Sequence, residues 1–364
     1  MGETPKIALA PQPTIFCNIL SLSRHYLSVS AKRSYANKTQ NAGMVHHILK
    51  ATRDTVHLGG FSDLLKPVLT IDSGDTIDLE TYTGYYVYDK APPEFLTPEL
   101  LDICQNLASE RKVAGGPHLL TGPIYVRDAE PGDVLEVELQ AIAPSLPVGF
   151  NAIRTGWGAL PQQFTQPALR FIPLDLGNNI AEFPGHSGIK IPLRPFFGIL
   201  GVATPENSRT SIPPGSYGGN IDNRELQAGS RIFLPVFVPG GLFSIGDGHS
   251  AQGDGEVNVT AIETSMNGRI KLTLRKDLQL TTPIAETPTD IITMGFAPTL
   301  DQALELALKN MIALLERCTH LSAEDAYVLC SLAVNFHITQ VVNSPQKGVH
   351  GMLPKSVFSD KIYL

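Results

Sequence analysis

Residues 68 to 80 read Val68-Leu-Thr-Ile-Asp-Ser-Gly-Asp-Thr-Ile-Asp-Leu-Glu80, two short apolar runs joined by Ser-Gly-Asp. Such runs, bounded by Gly, Asp and Ser, are typical of strands joined by a turn. The pattern continues outward: Ala129-Glu-Pro-Gly-Asp133 is another turn, and Val134-Leu-Glu-Val-Glu-Leu139 alternates apolar and acidic residues, which predicts a strand with one buried face. Ala228–Val238 and Gly268–Leu274 repeat it. We therefore predict a stack of sheets in the middle of the protein.

Helices are predicted mainly near the end of the chain. From Asp301 to Arg317 apolar residues recur at helical spacing, which predicts an amphipathic helix. Ser322-Ala-Glu-Asp325 resembles a capping box and predicts a second helix running to about Val341. A shorter helix is predicted from Pro98 to Arg111, with proline in its first turn. The predicted fold class is α+β, mainly β, with a β-sandwich and C-terminal helices.

Composition argues against several classes of partner. The chain has 364 residues, 28 Lys and Arg against 35 Asp and Glu, and a formal net charge of −7. We expect no nucleic-acid partner, because phosphate binding needs clustered basic side chains. No stretch reaches about 18 consecutive apolar residues, so we expect no membrane span. The four cysteines form no C-x-x-C pair, which favours reduced thiols and a cytoplasmic location.

The first 43 residues differ in composition from the rest. From Pro5 to Gly43 there is no acidic residue, while basic residues occur among serines and small apolar residues. This composition overlaps with that of organelle transit peptides. The alternative, which we prefer, is an upstream extension that is disordered or not native, with Met44 as the start and the first strand at His46. In either case we expect no site residue in this segment.

The densest polar stretch is Phe243-Ser-Ile-Gly-Asp-Gly-His-Ser-Ala-Gln-Gly-Asp-Gly-Glu-Val257. Because its glycines and ionisable side chains disfavour a packed strand or helix, we predict a loop between two strands. Carboxylates and an imidazole in one loop suit a divalent ion or a polarised carbonyl group. A structural calcium turn or a plain Gly-Asp hairpin is the alternative.

Three further glycine-rich segments carry polar side chains. One contains Asn220 and Asp222, a second places His118 and Thr121 before an apolar strand, and a third places His57 beside two glycines. A lone histidine in a β protein is more often structural than a ligand. These histidines are better candidates for ligands only if they lie close together in the folded chain.

Other catalytic designs fit the sequence poorly. The G-x-S-x-G pattern of a nucleophile elbow is absent, as are a dinucleotide-binding G-x-G-x-x-G motif and a Walker loop. Cys104 and Cys330 lie in apolar contexts that are typical of buried thiols rather than of nucleophiles. Hydrolysis by water is the chemistry that remains.

Seven short segments and the tail of the chain carry a family resemblance. The segments, in chain order, are Val56-His-Leu-Gly59, Ile71-Asp-Ser-Gly-Asp-Thr76, His118-Leu-Leu-Thr-Gly-Pro123, Ala129-Glu-Pro-Gly-Asp133, Gly219-Asn-Ile-Asp222, Gly246-Asp-Gly-His-Ser-Ala-Gln-Gly-Asp-Gly-Glu256 and Thr260-Ala-Ile-Glu263, and the tail is Gln340-Val-Val-Asn-Ser-Pro-Gln-Lys-Gly-Val349. Together they resemble the acetamidase/formamidase family from about Met44 to Pro354, and the tail is similar to the closing segment of that family. The longest segment, Gly246 to Glu256, is specific to it.

The resemblance implies hydrolysis of a short aliphatic amide to a carboxylic acid and ammonia, by a homodimer with bound zinc or calcium. It also implies a jelly-roll-like sandwich, which we place at residues 44–275, with an added α/β part at residues 276–364. Leu58, Ile221 and Ser250 depart from residues common in the family. The first two bear on the shape of the pocket and hence on the acyl group accepted.

We expect a divalent metal, zinc in the first place, that activates water for attack on the amide carbon. Glu256 is expected to carry the proton from water to the leaving amine, with Asp254 as the next candidate, and Asn220 to orient the substrate. A metal hydrolase of another substrate, such as a cyclic imide or an ester, and a non-catalytic β-sandwich with a structural calcium ion are the alternatives. The expected ligands are His118, Asp222, His249 and Asp247, and further candidates for the site are His57, Gln252 and Thr121.

Overall fold

Strands and the turns between them make up most of the fold, as the alternating patterns predicted. The computed structural model describes residues 44–186 and 188–359, so the predicted extension at residues 1–43 lies outside the described residues. The strands in chain order are β1 (His46–Leu49), β2 (Val56–Leu58), β3 (Gly60–Phe61), β4 (Leu69–Ile71), β5 (Thr76–Thr81), β6 (Leu119–Val126), β7 (Val134–Pro144), β8 (Val148–Ile153), β9 (Ala168–Asp175), β10 (Ile180–Glu182), β11 (Lys190–Pro192), β12 (Phe196–Gly201), β13 (Arg209–Thr210), β14 (Gly218–Asn220), β15 (Arg231–Pro235), β16 (Phe243–His249), β17 (Met266–Arg275), β18 (Ile284–Glu286), β19 (Asp290–Ala297), β20 (Asn335–Gln340) and β21 (Lys347–Pro354).

All three predicted helices are present; the helix predicted at Asp301–Arg317 matches closely, whereas the other two end earlier than predicted. They are α1 (Pro98–Asn106), α2 (Leu300–Thr319) and α3 (Ala323–Ala333). Ser322 caps α3 as predicted, because its hydroxyl accepts the backbone N–H of Asp325. The predicted end near Val341 is wrong, since the segment after α3 is β20, which pairs with β21. Short 3₁₀ helices span Tyr88–Lys90, Ser109–Arg111 and Lys355–Val357. None of the described helices is long and apolar enough to cross a membrane.

Two large sheets form the body of the protein. One has nine strands in the order β1-β5-β17-β7-β15-β18-β19-β21-β20. The other has six, β14-β12-β16-β6-β2 with β4 beside β6. Smaller sheets are β11-β10-β9-β8 and β13-β3. Strands from both sides of residue 275 share the nine-stranded sheet; the boundary there and the jelly-roll connectivity stay predictions.

The main hydrophobic core joins these two sheets. Its buried residues include Ile77, Val137 and Ile270 from the nine-stranded sheet and Ile199 and Ile245 from the six-stranded sheet. Burying these side chains stabilises the fold by about 1.5 to 3 kcal/mol each. The core holds the six-stranded sheet against the nine-stranded sheet. The polar cluster described below lies at the ends of strands of the six-stranded sheet.

Phe243–His249 was predicted as part of a loop and is instead the strand β16, buried along its whole length. It pairs with β12 on one side and β6 on the other. Two of its glycines permit close packing, because a Cβ at Gly246 or at Gly248 would lie 2.5 Å from a neighbouring backbone oxygen. Its polar side chains, Asp247 and His249, are tolerated in the interior because they face other polar groups.

Candidate active site

One edge of the six-stranded sheet gathers the polar side chains. Because β12 and β16 are antiparallel, His249 at the end of β16 lies opposite Phe196 at the start of β12. In the same way Ile199 in β12 pairs with Asn220 at the end of β14. His118 directly precedes β6, which runs antiparallel to β16. Three strands, β6, β14 and β16, therefore bring polar residues together beside β12.

His249 stands at the centre of this cluster and is fully buried. Gln252 donates its amide N–H to the carbonyl oxygen of Asp222 at 2.9 Å, which directs its Oε1 toward Nδ1 of His249, also at 2.9 Å. Since that oxygen can only accept, Nδ1 of His249 carries the hydrogen. The opposite nitrogen, Nε2, is buried without a hydrogen-bond partner.

Two carboxylates face that nitrogen. Nε2 of His249 lies 3.4 Å from Oδ2 of Asp247 and 3.3 Å from Oε2 of Glu263. Burial lowers the pKa of His249, but the charges of Glu263 and Asp247 outweigh it and raise the pKa well above its ordinary value. His118 adds a second imidazole, with its Nε2 3.8 Å from Asp247. Burial raises the pKa of Asp247, and His118 and His249 more than compensate, so its net shift is downward.

A second pair of carboxyl groups, Asp222 and Glu256, lies toward the other side of the His249 ring. Oδ1 of Asp222 is 4.0 Å from Nδ1 of His249, and its Oδ2 accepts the side-chain amide of Asn343. Burial raises the pKa of Asp222 to about 7. Burial, together with the charge of Asp222, raises the pKa of Glu256 well above its usual range. Their oxygens lie within 4.8 Å of each other, and two carboxyl groups at this distance favour sharing a proton near neutral pH.

The backbone under these carboxylates adopts a conformation that side chains rarely take. The φ angles of Asp222, Asp247 and Glu256 are 52°, 58° and 44°. Positive φ costs a non-glycine residue about 1 to 3 kcal/mol, and such residues concentrate at functional sites. Beneath them, a Cβ on Gly198 would lie 2.6 Å from Oδ1 of Asp222 and 2.9 Å from Oδ2 of Asp247. The carboxylates of Asp222 and Asp247 therefore pack directly against the backbone of Gly198, where no side chain fits.

A small cavity of about 40 Å³ opens onto the cluster. Asn220 lines it and donates its amide to the carbonyl oxygen of Ile212, while its Oδ1 is buried without a partner. The guanidinium of Arg154 lies 3.9 Å from the centre of the Tyr86 ring. The lining residues are Tyr86, Pro117, His118, Arg154, Trp157, Ile212, Asn220, Asp247, Glu256, Val259, Thr260, Glu263, Val342 and Asn343.

The donors could hold a metal ion in two overlapping groups. One consists of Asp247, His249 and Glu263, the other of Asp222, His249 and Glu256, and within each group the donor atoms lie within 4.8 Å of one another. The first group fits an ion better, because Nε2 of His249 has no hydrogen-bond partner and would give up its proton to an ion, whereas Nδ1 keeps its hydrogen in the bond to Gln252. His118 lies beside this group and would complete a set of two nitrogens and two oxygens.

Three predicted site residues lie elsewhere. Nε2 of His57 is hydrogen-bonded to the hydroxyl of Ser244 at 2.9 Å, and Thr121 donates to the carbonyl oxygen of Glu80. Asp254 is 37% exposed and pairs with His337 at 3.1 Å. None of the three lines the cavity. The other predicted residues converge on the cluster, with Gln252 as the partner that orients His249.

The sequence did not single out Glu263, Asn343, Tyr86 or Arg154. Glu263 and Asn343 occur in segments that carry the family resemblance, so a signal was present. Glu263 meets His249 through an isolated antiparallel bridge between their backbones, which no sequence pattern marks. Tyr86 and Arg154 come from irregular segments that are far apart in the chain.

Fold and site together define a mainly β protein with a buried carboxylate and imidazole cluster, an arrangement typical of enzymes. The model of the Acetamidase/Formamidase family matches residues 110–208 and 204–360. The chain belongs to this family, as its motifs predicted.

The relatives agree with this membership. A protein of Schizosaccharomyces pombe is 29% identical over 276 residues, and the match covers 59% of this chain but only 64% of that protein. The formamidase of Methylophilus methylotrophus is 27% identical, over 66% of this chain and 77% of its own length. The crystal structure of an acetamidase from Bacillus halodurans superposes with a TM-score of 0.73 at 30% identity, covering 85% of this chain and 98% of that one.

Proposed function

We propose that this protein is an amidase that hydrolyses short aliphatic amides, of the formamide and acetamide kind, to the carboxylic acid and ammonia. The observation that carries the proposal is the unpartnered Nε2 of His249, which faces Asp247 and Glu263 at the wall of a small cavity. Family membership supports the same reaction class, because relatives include a protein named formamidase and one named acetamidase.

We propose His118, Asp247, His249 and Glu263 as the residues that hold a divalent metal, with Glu263 in place of the expected ligand Asp222. Two imidazoles favour zinc over calcium, since calcium prefers oxygen ligands alone. A zinc ion there would polarise the amide carbonyl and lower the pKa of water. A structural calcium ion elsewhere in the chain stays a prediction.

Glu256 and Asp222 handle the protons in this proposal. Glu256 lines the cavity, whereas Asp222 lies behind it, and the raised pKa values of both allow the pair to hold one proton near neutral pH. The oxygen of water bonds to the carbonyl carbon while its proton passes to Glu256, and Glu256 passes the proton that it held to the ionised Asp222. A proton then moves from Glu256 to the amide nitrogen, the C–N bond breaks, and the acid and ammonia leave.

The size of the cavity limits the substrate. One water molecule needs about 10 to 15 Å³ of cavity volume, so a cavity of about 40 Å³ has room for about three groups of that size. That is close to the size of formamide or acetamide. The free Oδ1 of Asn220 would accept an N–H of the amide and hold the nitrogen toward Glu256.

We also retain the homodimer, the jelly-roll-like sandwich and the cytoplasmic location as proposals. The first two are supported by the family resemblance. The third is supported by the cysteines of the described residues, of which Cys104 and Cys330 are buried free thiols.

The test is a screen for ammonia release from formamide, acetamide, propionamide and urea, run with and without a chelator and with added Zn²⁺. Asp247→Asn and Asp254→Asn form a matched pair of variants, because each removes one carboxylate but only Asp247 lines the cavity. We expect release from the two smallest amides, loss of activity on chelation, and loss in Asp247→Asn but not in Asp254→Asn.

Two results would contradict the proposal. One is the absence of ammonia release from every amide by folded, zinc-loaded protein. The other is full activity of Asp247→Asn, because a cluster that works without this carboxylate is not the site of the reaction. Loss of activity in Asp254→Asn alone would move the proton-carrying role to Asp254.

A further inference from the structure

Arg154 is a half-buried cation that lines the cavity and has no role in the reaction described above. Among the described residues that line the cavity it is the one Lys or Arg side chain. Its guanidinium lies against the face of Tyr86, 3.9 Å from the ring centre, and no carboxylate of the described residues forms an ion pair with it. A cation in this position can still accept an anionic partner.

The surrounding charge makes such a cation useful. Three carboxylates, those of Asp247, Glu256 and Glu263, line the same cavity. An amide is neutral, but its oxygen gains negative charge during attack by water, and the product is a carboxylate. A cavity lined only by carboxylates would repel the amide oxygen during attack and the product carboxylate. A guanidinium, in contrast, binds a carboxylate through two parallel hydrogen bonds.

We propose that Arg154 is a further catalytic residue that binds the carbonyl oxygen of the amide and then the carboxylate of the product acid. This inference rests on the proposed amide hydrolysis. It places the oxygen of the substrate toward Arg154 and the nitrogen toward Asn220 and Glu256. Small carboxylates such as acetate are therefore competitive product inhibitors that bind at this residue.

Tyr86 holds the guanidinium in place. Its ring packs edge-on against Phe150 with 5.7 Å between ring centres, so the surface under Arg154 is fixed in the fold. Stacking on an aromatic face stabilises a cation and leaves its N–H groups free to point away from the ring. Tyr86→Phe keeps this surface, whereas Tyr86→Leu removes it.

Calorimetric titration with acetate tests the inference on the zinc-loaded full-length chain. Arg154→Met removes the charge, and Arg127→Met is the control, because Arg127 is an exposed arginine paired with Asp72. Hydrogen bonds to charged groups predict a weakening of acetate binding by about tenfold or more in Arg154→Met. The kcat/KM for acetamide falls at least as far, while Arg127→Met binds acetate like the wild type.

An unchanged acetate affinity in folded Arg154→Met overturns the inference, even if the protein hydrolyses acetamide. If the protein binds acetate through Arg154 but releases no ammonia from any amide, the proposed reaction fails while carboxylate binding at Arg154 stands. Should Arg154→Met not fold, Arg154→Lys serves instead, since it keeps the charge but loses the paired hydrogen bonds. A Lys variant that binds acetate as tightly as the wild type also overturns the inference.

Discussion

Gly198 is the most informative single position for the geometry of the site. It lies in β12 directly beneath the cluster, with no room for a side chain. In Gly198→Ala the new Cβ would lie 2.6 Å from Oδ1 of Asp222, 2.9 Å from Oδ2 of Asp247 and 2.9 Å from Cε1 of His249. One methyl group therefore presses on both carboxylate pairs at once.

The size of the effect follows from these distances. A carbon and an oxygen in contact normally lie about 3.3 Å or more apart, so the two carboxylates must retreat by about 0.4 to 0.7 Å. Catalytic groups must be held to within about 0.5 Å, and a displacement of about 1 Å can reduce the rate by about a hundredfold. We expect Gly198→Ala to lower turnover per folded molecule by about tenfold to a hundredfold and to weaken zinc binding.

The same strand supplies a control for overpacking. In Gly201→Ala the new Cβ would lie 2.7 Å from the backbone nitrogen of Gly219 and 2.8 Å from the Phe61 ring, so it also clashes, but away from the cluster. Both variants should lose about 1 to 3 kcal/mol of unfolding free energy, measured by urea denaturation. Ammonia release from acetamide, normalised to folded protein, should fall only in Gly198→Ala.

Wild-type turnover and zinc affinity in a folded Gly198→Ala variant would refute this reasoning, because the cluster would then not need its present spacing. An equal loss of turnover in both variants would assign the effect to general damage of the sheet rather than to the site.

Three further predictions concern single residues. Glu256→Gln keeps the shape of the side chain but cannot titrate, so turnover should fall by about a hundredfold or more with zinc content unchanged; lost zinc would make Glu256 a ligand instead. Burial raises the pKa of Cys104 to about 12, so Cys104→Ala should cost about 1 kcal/mol of stability and leave turnover intact, and a folded but inactive variant would point to covalent catalysis. Burial and the charge of Arg111 lower the pKa of His57 from 6.5 to about 3, so the unfolded chain binds more protons between these values and the unfolding free energy should fall as pH falls through them. His57→Gln should flatten that dependence, and equal slopes in both proteins would show that His57 is not its source.

The sequence predicted the parts of the fold that depend on local pattern. The alternation at Val134–Leu139 and the helical spacing at Asp301–Arg317 each correspond to one element of the structure. The end of α3 was missed because capping marks where a helix begins, whereas Asn335–Gln340 becomes a strand through pairing with β21. Tertiary pairing overrides local preference in such segments.

The candidate site was predictable in composition but not in arrangement. Glycines and charges made Phe243–His249 resemble a loop, because isolated polar groups are costly to bury. The structure buries this strand since Asp247 and His249 meet other polar groups, and those partners are remote in sequence. Packing also decides whether a histidine faces the cavity. His57 does not face it, because its ring is hydrogen-bonded to the hydroxyl of Ser244 instead.

Anomalous diffraction at the zinc edge, from crystals of zinc-loaded full-length protein that hydrolyses acetamide, tests the central claim most directly. We expect a peak at about 2.0 to 2.2 Å from Nε2 of His249, coordinated also by His118, Asp247 and Glu263. A peak on the Nδ1 side of the ring, between Asp222 and Glu256, would contradict the proposed ligand set. A fully active crystal preparation with no zinc at either position would contradict the metal-assisted reaction itself.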